Sequence, residues 1–401
     1  MNMEYLKDKP VAVLGGGATA RGHAACTALA GGEVRLYELP EFFEGLGCIA
    51  SKREIRVSGR QESLYGFKRE GLAKIDVVTD DMAKAVRGAG IIVVSFPAVG
   101  YAAFLERLIP HLEDGMVVHF TTANFGSLLF RKMLREAGCT KKIVVGEWSS
   151  QPYGIRIKNM GGQQMPEVSV NYWAITLRGA ALPMTDQDAF FESKRYLPSL
   201  DSVEHPVHGD TVADVGFSNV NPILHCPGSI LGVGAMENWG VVYGENKYDF
   251  SIYSHAYCPS ISKVQLALYR EECAIAEAMG VGIQDFPEKA FFSRSNILGS
   301  EHMGEKFVVP FEEQYTLAMG TGPFSIYNRY ITEDIPVGCH IYLELAKKFG
   351  IEVPVIESMI TLASVMTGTD FRAAGVTLED LGIAHMNKEA LNAWLREGIY
   401  A

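Results

Sequence analysis

Residues 11–38 read VAVLGGGATARGHAACTALAGGEVRLYE, and the reading of this stretch decides the fold. Val11-Ala-Val-Leu14 is a short, wholly apolar run, as a strand buried on both faces requires. It meets Gly15-Gly-Gly17, where the chain turns tightly. From Ala18 to Leu29 the residues are small and helical in character, and Gly31-Gly32 ends the run. Val34-Arg-Leu-Tyr37 is a second strand, closed by Glu38. Strand, glycine turn, helix, strand is the opening unit of a doubly wound parallel sheet.

The pattern continues outward. Strands are expected at residues 91–96, 116–121 and 142–146, with helices at 98–112 and 125–137 between them. Residues 168–177 (VSVNYWAITL) alternate in strand fashion and are expected to extend the same sheet. Beyond Pro206 helical periods dominate, at 261–279, 337–349, 355–366 and 388–396. The polar stretch 201–210 is the expected boundary. The fold class is therefore α/β: an N-terminal Rossmann-type doubly wound parallel sheet over residues 1–207, then an all-α C-terminal domain over 208–401.

Composition narrows the function. The 401 residues are 48% hydrophobic and 21% charged, which is ordinary globular composition. Against 47 Asp and Glu stand 36 Lys and Arg, a net charge of −11, so a phosphate backbone is repelled and nucleic acid is not an expected partner. The start, MNMEYLKDKP, has no apolar core of a signal peptide. The longest apolar run, 91–105, is broken by Ser95, Pro97 and Gly100 and is too short to span a membrane. The seven cysteines are scattered with no C-x-x-C pair, which argues against a disulfide framework and a zinc site. The expectation is a reduced, cytoplasmic protein without a membrane segment.

Gly15-x-Gly17-x-x-Ala20 follows a strand and opens a helix, and Glu38 lies 23 residues after Gly15. Glycines there permit close approach of a pyrophosphate, and the helix start at Ala18, Thr19 and Ala20 offers amides and a positive dipole end. A carboxylate about 20 residues on is placed to accept from the adenosine ribose. Small residues also serve merely to pack a helix on a sheet, but here strand, helix and acid occur together. Glu38 would repel a 2′-phosphate, so NAD is expected rather than NADP. Ser95, Pro97 and Asn124 follow the carboxyl ends of later strands, where ligands bind in open α/β sheets, and join the cofactor-binding set. His205, His208, Asp210 and Asp214 are metal-ligand types, but they sit in the linker and no metal is expected. Cys226 beside His225 has the residue types of a nucleophile pair, yet adjacent side chains rarely aim at each other.

Several further segments together resemble the octopine/opine dehydrogenase family. They are Gly146-Glu-Trp-Ser-Ser150, Asn219-Val-Asn-Pro-Ile-Leu-His225, Asn328-Arg-Tyr-Ile-Thr-Glu-Asp334, Thr369-Asp-Phe-Arg372 and Thr377-Leu-Glu-Asp-Leu-Gly382. The likeness runs over nearly the whole chain. One departure is visible: the family usually has Pro directly after its histidine, whereas here Cys226 precedes Pro227.

The resemblance implies that His225 is the general acid/base, that Asp334 orients and charges it, and that Arg329 holds a keto-acid carboxylate. Ser149 and Ser150 are then expected on the substrate. It implies NADH-dependent condensation of an amino acid with an α-keto acid such as pyruvate, reduction of the imine to an N-(1-carboxyalkyl) amino acid, and the reverse oxidation. A homodimer is the assembly allowed for. The chemistry asks for these residue types independently: imine reduction needs a proton source titrating near neutrality, and an α-keto acid suits the planar fork of Arg. Two rivals remain open, a simple 2-keto-acid or ketopantoate-type reductase that needs no amine, and a non-catalytic NAD(H)-sensing module.

Overall fold

Eight strands form the larger sheet, and the first of them explains its order. β1 (Val11–Leu14) has all four residues buried and pairs in parallel with β2 (Val34–Tyr37) on one side. The computed structural model describes residues 3–59, 70–160, 163–304, 307–313 and 320–400. Among them, β3 (Glu54–Gly59) and β4 (Gly71–Lys74) lead to β5 (Val77–Thr79), which joins the outer edge of β2. On the other side of β1 follow β6 (Ile91–Val94), β7 (Val117–Phe120) and β8 (Val144–Trp148), all parallel. Apolar runs in β1, β6 and β7 are buried throughout, as a sheet covered on both faces requires.

The stretch 168–177 departs from expectation. β9 (Tyr153–Met160) and β10 (Gln163–Trp173) pair antiparallel, and β10 runs parallel to β3. These strands make a separate four-stranded sheet in the order β4-β3-β10-β9. The larger sheet is extended instead by β11 (Thr176–Ala181), antiparallel to β8, and then by β12 (His205–His208). The physical reason lies in the helix Ala18–Leu29. It is buried without a break from Ala20 to Thr27 and packs in one core with Ile55, Val57, Ile155, Val168 and Val170 of the second sheet. Only small side chains allow this: a Cβ on Gly22 would stand 2.7 Å from both the Tyr153 hydroxyl and Ile155.

The chain divides into two compact units. The first runs to residue 216 and takes back the chain from residue 393; the second spans residues 217–392. The contact boundary thus lies past the expected 207/208. Asp210 and Asp214 hold the intervening turn to the first unit. Asp214 is buried and pairs with Arg178 of β11 at 2.8 Å, while Asp210 pairs with Arg396 at 2.7 Å. Both acids of the imagined metal cluster are therefore ion-pair partners, and His208 stacks on Phe191.

The second unit is helical. Its described residues contain one isolated bridge, Ser251 to Gly322, and no strand. The 21-residue helix Pro259–Met279 buries Leu268, Ile275 and Ala276. The helices Asn221–Leu231, His340–Phe349 and Pro354–Thr367 belong to the same unit. The expected helix at 337–349 is resolved into a π-turn, Asp334–Cys339, followed by His340–Phe349. Gly338 in that turn admits Pro222, since a Cβ there would stand 2.6 Å from the proline ring.

Candidate active site

In the first unit, the end of β1 forms a cradle. Gly15 has φ of +112°, which other residues avoid, and a Cβ there would lie 2.7 Å from the Ser95 carbonyl oxygen. Gly17 caps the helix Ala18–Leu29 in extended conformation, and a Cβ there would meet nothing within 4 Å. The first helical bond runs from the Arg21 N–H to Gly17 O at 3.0 Å. The amides of Ala18, Thr19 and Ala20 thus precede the ladder and face the helix entrance. Open space, three leading amides and a positive helix end fit a pyrophosphate.

The sequence did not signal Arg21, which holds this loop from beneath. It is buried, and it donates to Gly16 O at 2.8 Å and to Gly45 O at 3.2 Å. Glu38 is half-buried and accepts from the Leu39 N–H at 2.8 Å and from the Gly16 amide. Burial raises its pKa, and those two amides oppose the rise. Ser95 donates its hydroxyl to Thr19 Oγ1 at 3.0 Å, and Pro97 caps the short turn Ala98–Gly100.

Asn124 lies in a loop clamped by Glu147, which the segment Gly146–Ser150 contains but to which the sequence assigns no role. Glu147 accepts from the amides of Asn124 (3.1 Å) and Ser127 (2.8 Å) and from the Ser127 hydroxyl. It is fully buried, and burial pushes its pKa up to about 7 against those donors. Ser149 is not presented to a ligand: its N–H donates to Arg178 O at 2.8 Å and its hydroxyl accepts from the Arg178 N–H at 3.3 Å. Both groups serve to fasten β8 to β11. Ser150 is partly buried beside it.

In the second unit, the helix Asn221–Leu231 carries His225, which is 7% exposed. Pro227, two residues on, has no N–H to give to the hydrogen-bond ladder. There the Tyr257 hydroxyl and the Gln265 amide donate to Leu224 O at 2.9 and 3.4 Å, fixing the turn that bears the histidine. His225 Nδ1 lies 2.6 Å from Asp334 Oδ2, and Nε2 lies 3.0 Å from the Tyr253 hydroxyl. The Tyr330 ring stacks on the imidazole with centroids 3.5 Å apart and planes 3° from parallel. Asp334 thus spends its carboxylate on the imidazole and caps no helix. Residues 109 positions apart meet because the π-turn Asp334–Cys339 packs on the helix Asn221–Leu231.

Arg329 is exposed, and its Nε and Nη2 both donate to Glu333 Oε2, at 2.9 and 2.6 Å. Its fork is thereby held five residues before Asp334, where the π-turn begins. Cys226, the next residue after His225, is buried. Its thiol contacts Tyr330 O at 3.8 Å and Cys339 Sγ at 3.7 Å, and burial pushes its pKa well up. A thiol so placed is a packing group, not a nucleophile. Tyr253 lies in none of the segments that carry the resemblance; Tyr330 lies in Asn328–Asp334, where nothing in the sequence marks it as a partner of His225.

Residues 208–367 match the family described as NAD/NADP octopine/nopaline dehydrogenase, alpha-helical domain. An opine dehydrogenase of Arthrobacter sp. (strain 1C) is 26% identical over 97% of this chain and 99% of that protein. Both likenesses support the octopine/opine dehydrogenase family. Two solved structures of octopine dehydrogenase share the fold of this chain. One, with NADH and agmatine, has a TM-score of 0.70 at 17% identity, covering 98% of this chain and 99% of that one. The other, with NADH and pyruvate, has a TM-score of 0.66 at 18% identity, covering 96% and 98%. These likenesses support an activity of the opine dehydrogenase type, that of a nicotinamide-dependent oxidoreductase. No helix among the described residues is long and apolar enough to cross a membrane.

Proposed function

We propose that this protein is an NADH-dependent opine dehydrogenase. It joins the amine of an amino acid to an α-keto acid, with pyruvate as the expected one, and reduces the resulting imine to an N-(1-carboxyalkyl) amino acid. The observation that carries the reading is the 2.6 Å contact between His225 Nδ1 and Asp334, inside the unit that matches the family. A bound nicotinamide dinucleotide supplies the hydride.

The chain's own residues do the rest. The cradle at Gly15, Gly17 and the helix entrance binds the pyrophosphate, with Ser95, Pro97 and Asn124 lining the neighbouring loops. Glu38 accepts from the ribose hydroxyls and disfavours a 2′-phosphate, which supports NADH over NADPH. Asp334 fixes the proton of His225 on Nδ1, leaving Nε2 to give or take one. That exchange serves both loss of water during condensation and protonation of the nitrogen. Arg329, pre-set by Glu333, supplies the planar cation for the keto-acid carboxylate. Ser150 remains the hydroxyl candidate on the substrate side; Ser149 supports the sheet beneath it.

The test is initial-rate oxidation of NADH with pyruvate and a panel of amino acids, with each substrate also supplied alone. Turnover that needs both partners supports the reading. Turnover with the keto acid alone identifies a simple reductase. Tight NADH binding without turnover for any pair identifies a sensing module.

A further inference from the structure

We propose that Tyr253 is a proton relay on His225: protons reach and leave Nε2 through its hydroxyl. The inference builds on the opine dehydrogenase reading only for the identity of the final acceptor. Its geometry stands within the helical unit alone.

The imidazole is held at three points. Asp334 takes Nδ1, the Tyr330 ring covers one face, and the Tyr253 oxygen sits 3.0 Å from Nε2. With Nδ1–H donating to the carboxylate, a neutral ring has its lone pair at Nε2 and accepts from the Tyr253 O–H. In the imidazolium, Nε2–H donates to the Tyr253 oxygen, and the phenolic proton must turn elsewhere. An acceptor is already in range, because the Tyr253 hydroxyl lies 3.5 Å from that of Tyr330. One phenol therefore faces Nε2 and a second oxygen at once.

The transfer balances. The Nε2–H bond breaks as a new O–H bond forms on Tyr253, while the original Tyr253 O–H breaks and its proton passes to the substrate oxygen or nitrogen. The tyrosine ends neutral, and the imidazole loses one positive charge. In reverse, a proton taken from the substrate arrives at Nε2 by the same two bonds. No ionised phenolate has to persist.

Tyr253 is also fixed in place, which a mere space-filler would not require. It is 5% exposed and lies in the π-turn Ile252–Ala256. Before it, the Ile252 N–H donates to Gly322 O at 3.1 Å, and after it Arg294 Nη1 donates to Ser254 O at 2.7 Å. Arg294 is itself bound to the carbonyls of Phe311 and Glu313. Its ring meets Tyr257 edge-on at 5.5 Å. The backbone on either side of Tyr253 is thus pinned, and swinging the phenol off Nε2 would break its edge contact with Tyr257.

Tyr253→Phe keeps the ring and deletes the hydroxyl. The first measurement needs no substrate. In protein labelled with 15N-histidine, the His225 signals are those lost in His225→Gln, and exchange of Nε2–H with water is followed at acidic pH. A relay predicts that exchange slows by about tenfold or more in Tyr253→Phe, equivalent to a barrier higher by about 1.4 kcal/mol. A hydroxyl that only blocks the nitrogen predicts equal or faster exchange, which overturns the proposal. The second measurement uses the amino acid and keto acid pair. Tyr253→Phe should lose roughly 10²-fold in kcat, at the low end for acid–base groups, with KM little changed. The rate in mixtures of H2O and D2O should change from a curved dependence in the parent to a linear one. Retained kcat with a lowered KM would show instead that substrate displaces Tyr253. If the parent protein turns over no pair, the opine reading fails, while the exchange measurement still decides the relay.

Discussion

At the residue scale, His225 is defined by what each of its nitrogens touches. Asp334 on Nδ1 selects one tautomer, and an amide in its place can present either a donor or an acceptor. Asp334→Asn should therefore lower kcat by up to about 10⁴-fold, as removal of such an orienting carboxylate does elsewhere, with NADH affinity unchanged. Stopped-flow turnover beside fluorescence titration of NADH checks this; near-normal kcat would return Asp334 to a structural role. Arg329 makes a second case. Lys at that position keeps the charge but loses the fork and the paired donors to Glu333. The KM for the keto acid should then rise much more than that for the amino acid, and equal rises would make Arg329 structural. The pairing of His225 with Asp334 is legible in the chain because each sits in a segment that carries the resemblance. Glu147 also sits in such a segment, but its role, like those of Tyr253 and Arg21, depends on partners that only the fold selects.

At the scale of elements, the first strand–turn–helix is legible almost to the residue, since burial on both faces, glycine at a positive φ and a small-residue helix all agree. Residues 168–177 show where periodicity runs out. Alternation marks a strand but does not say which sheet receives it, and β10 went to the second sheet because the helix Ala18–Leu29 has apolar contacts on that side too. The Gly15 turn supplies a prediction at this scale. Gly15→Ala must fit a Cβ against Ser95 O at a backbone angle that L-residues avoid. The loop should shift and NADH affinity fall by about tenfold or more, equivalent to about 1.4 kcal/mol. Isothermal titration against the parent decides it, and an unchanged affinity would show that the cofactor does not use this turn.

At the scale of the whole molecule, the division into a Rossmann-type unit and a helical unit follows from the change in period near Pro206. The contact boundary falls later because Asp210 and Asp214 form ion pairs that spacing does not reveal. The first unit also contains opposed buried titrations. Burial lowers the pKa of His23 to about 4 and of His119 to about 3. Their stabilisation is complete above pH 6.5 and is lost as pH falls toward those values. Burial raises Glu147 to about 7, so its contribution has the other sign, complete below pH 4.5 and lost as pH rises through 7. At about 1.4 kcal/mol per pH unit per group, going from pH 6.5 to 5 costs about 4 kcal/mol at the two histidines and returns about 2 at Glu147. Glu147→Gln should roughly double the acid loss of stability in denaturant titrations at those two pH values. An unchanged difference would mean that Glu147 does not titrate in this range.

The central claim is that two substrates become one molecule. Its most direct measurement is the mass of the product formed from 15N-labelled amino acid, pyruvate and NADH, with His225→Ala as control. The expected product is a secondary-amine dicarboxylate that retains the 15N label and contains the pyruvate carbons, absent with His225→Ala. Lactate as the sole product, formed equally without the amino acid, would contradict the account.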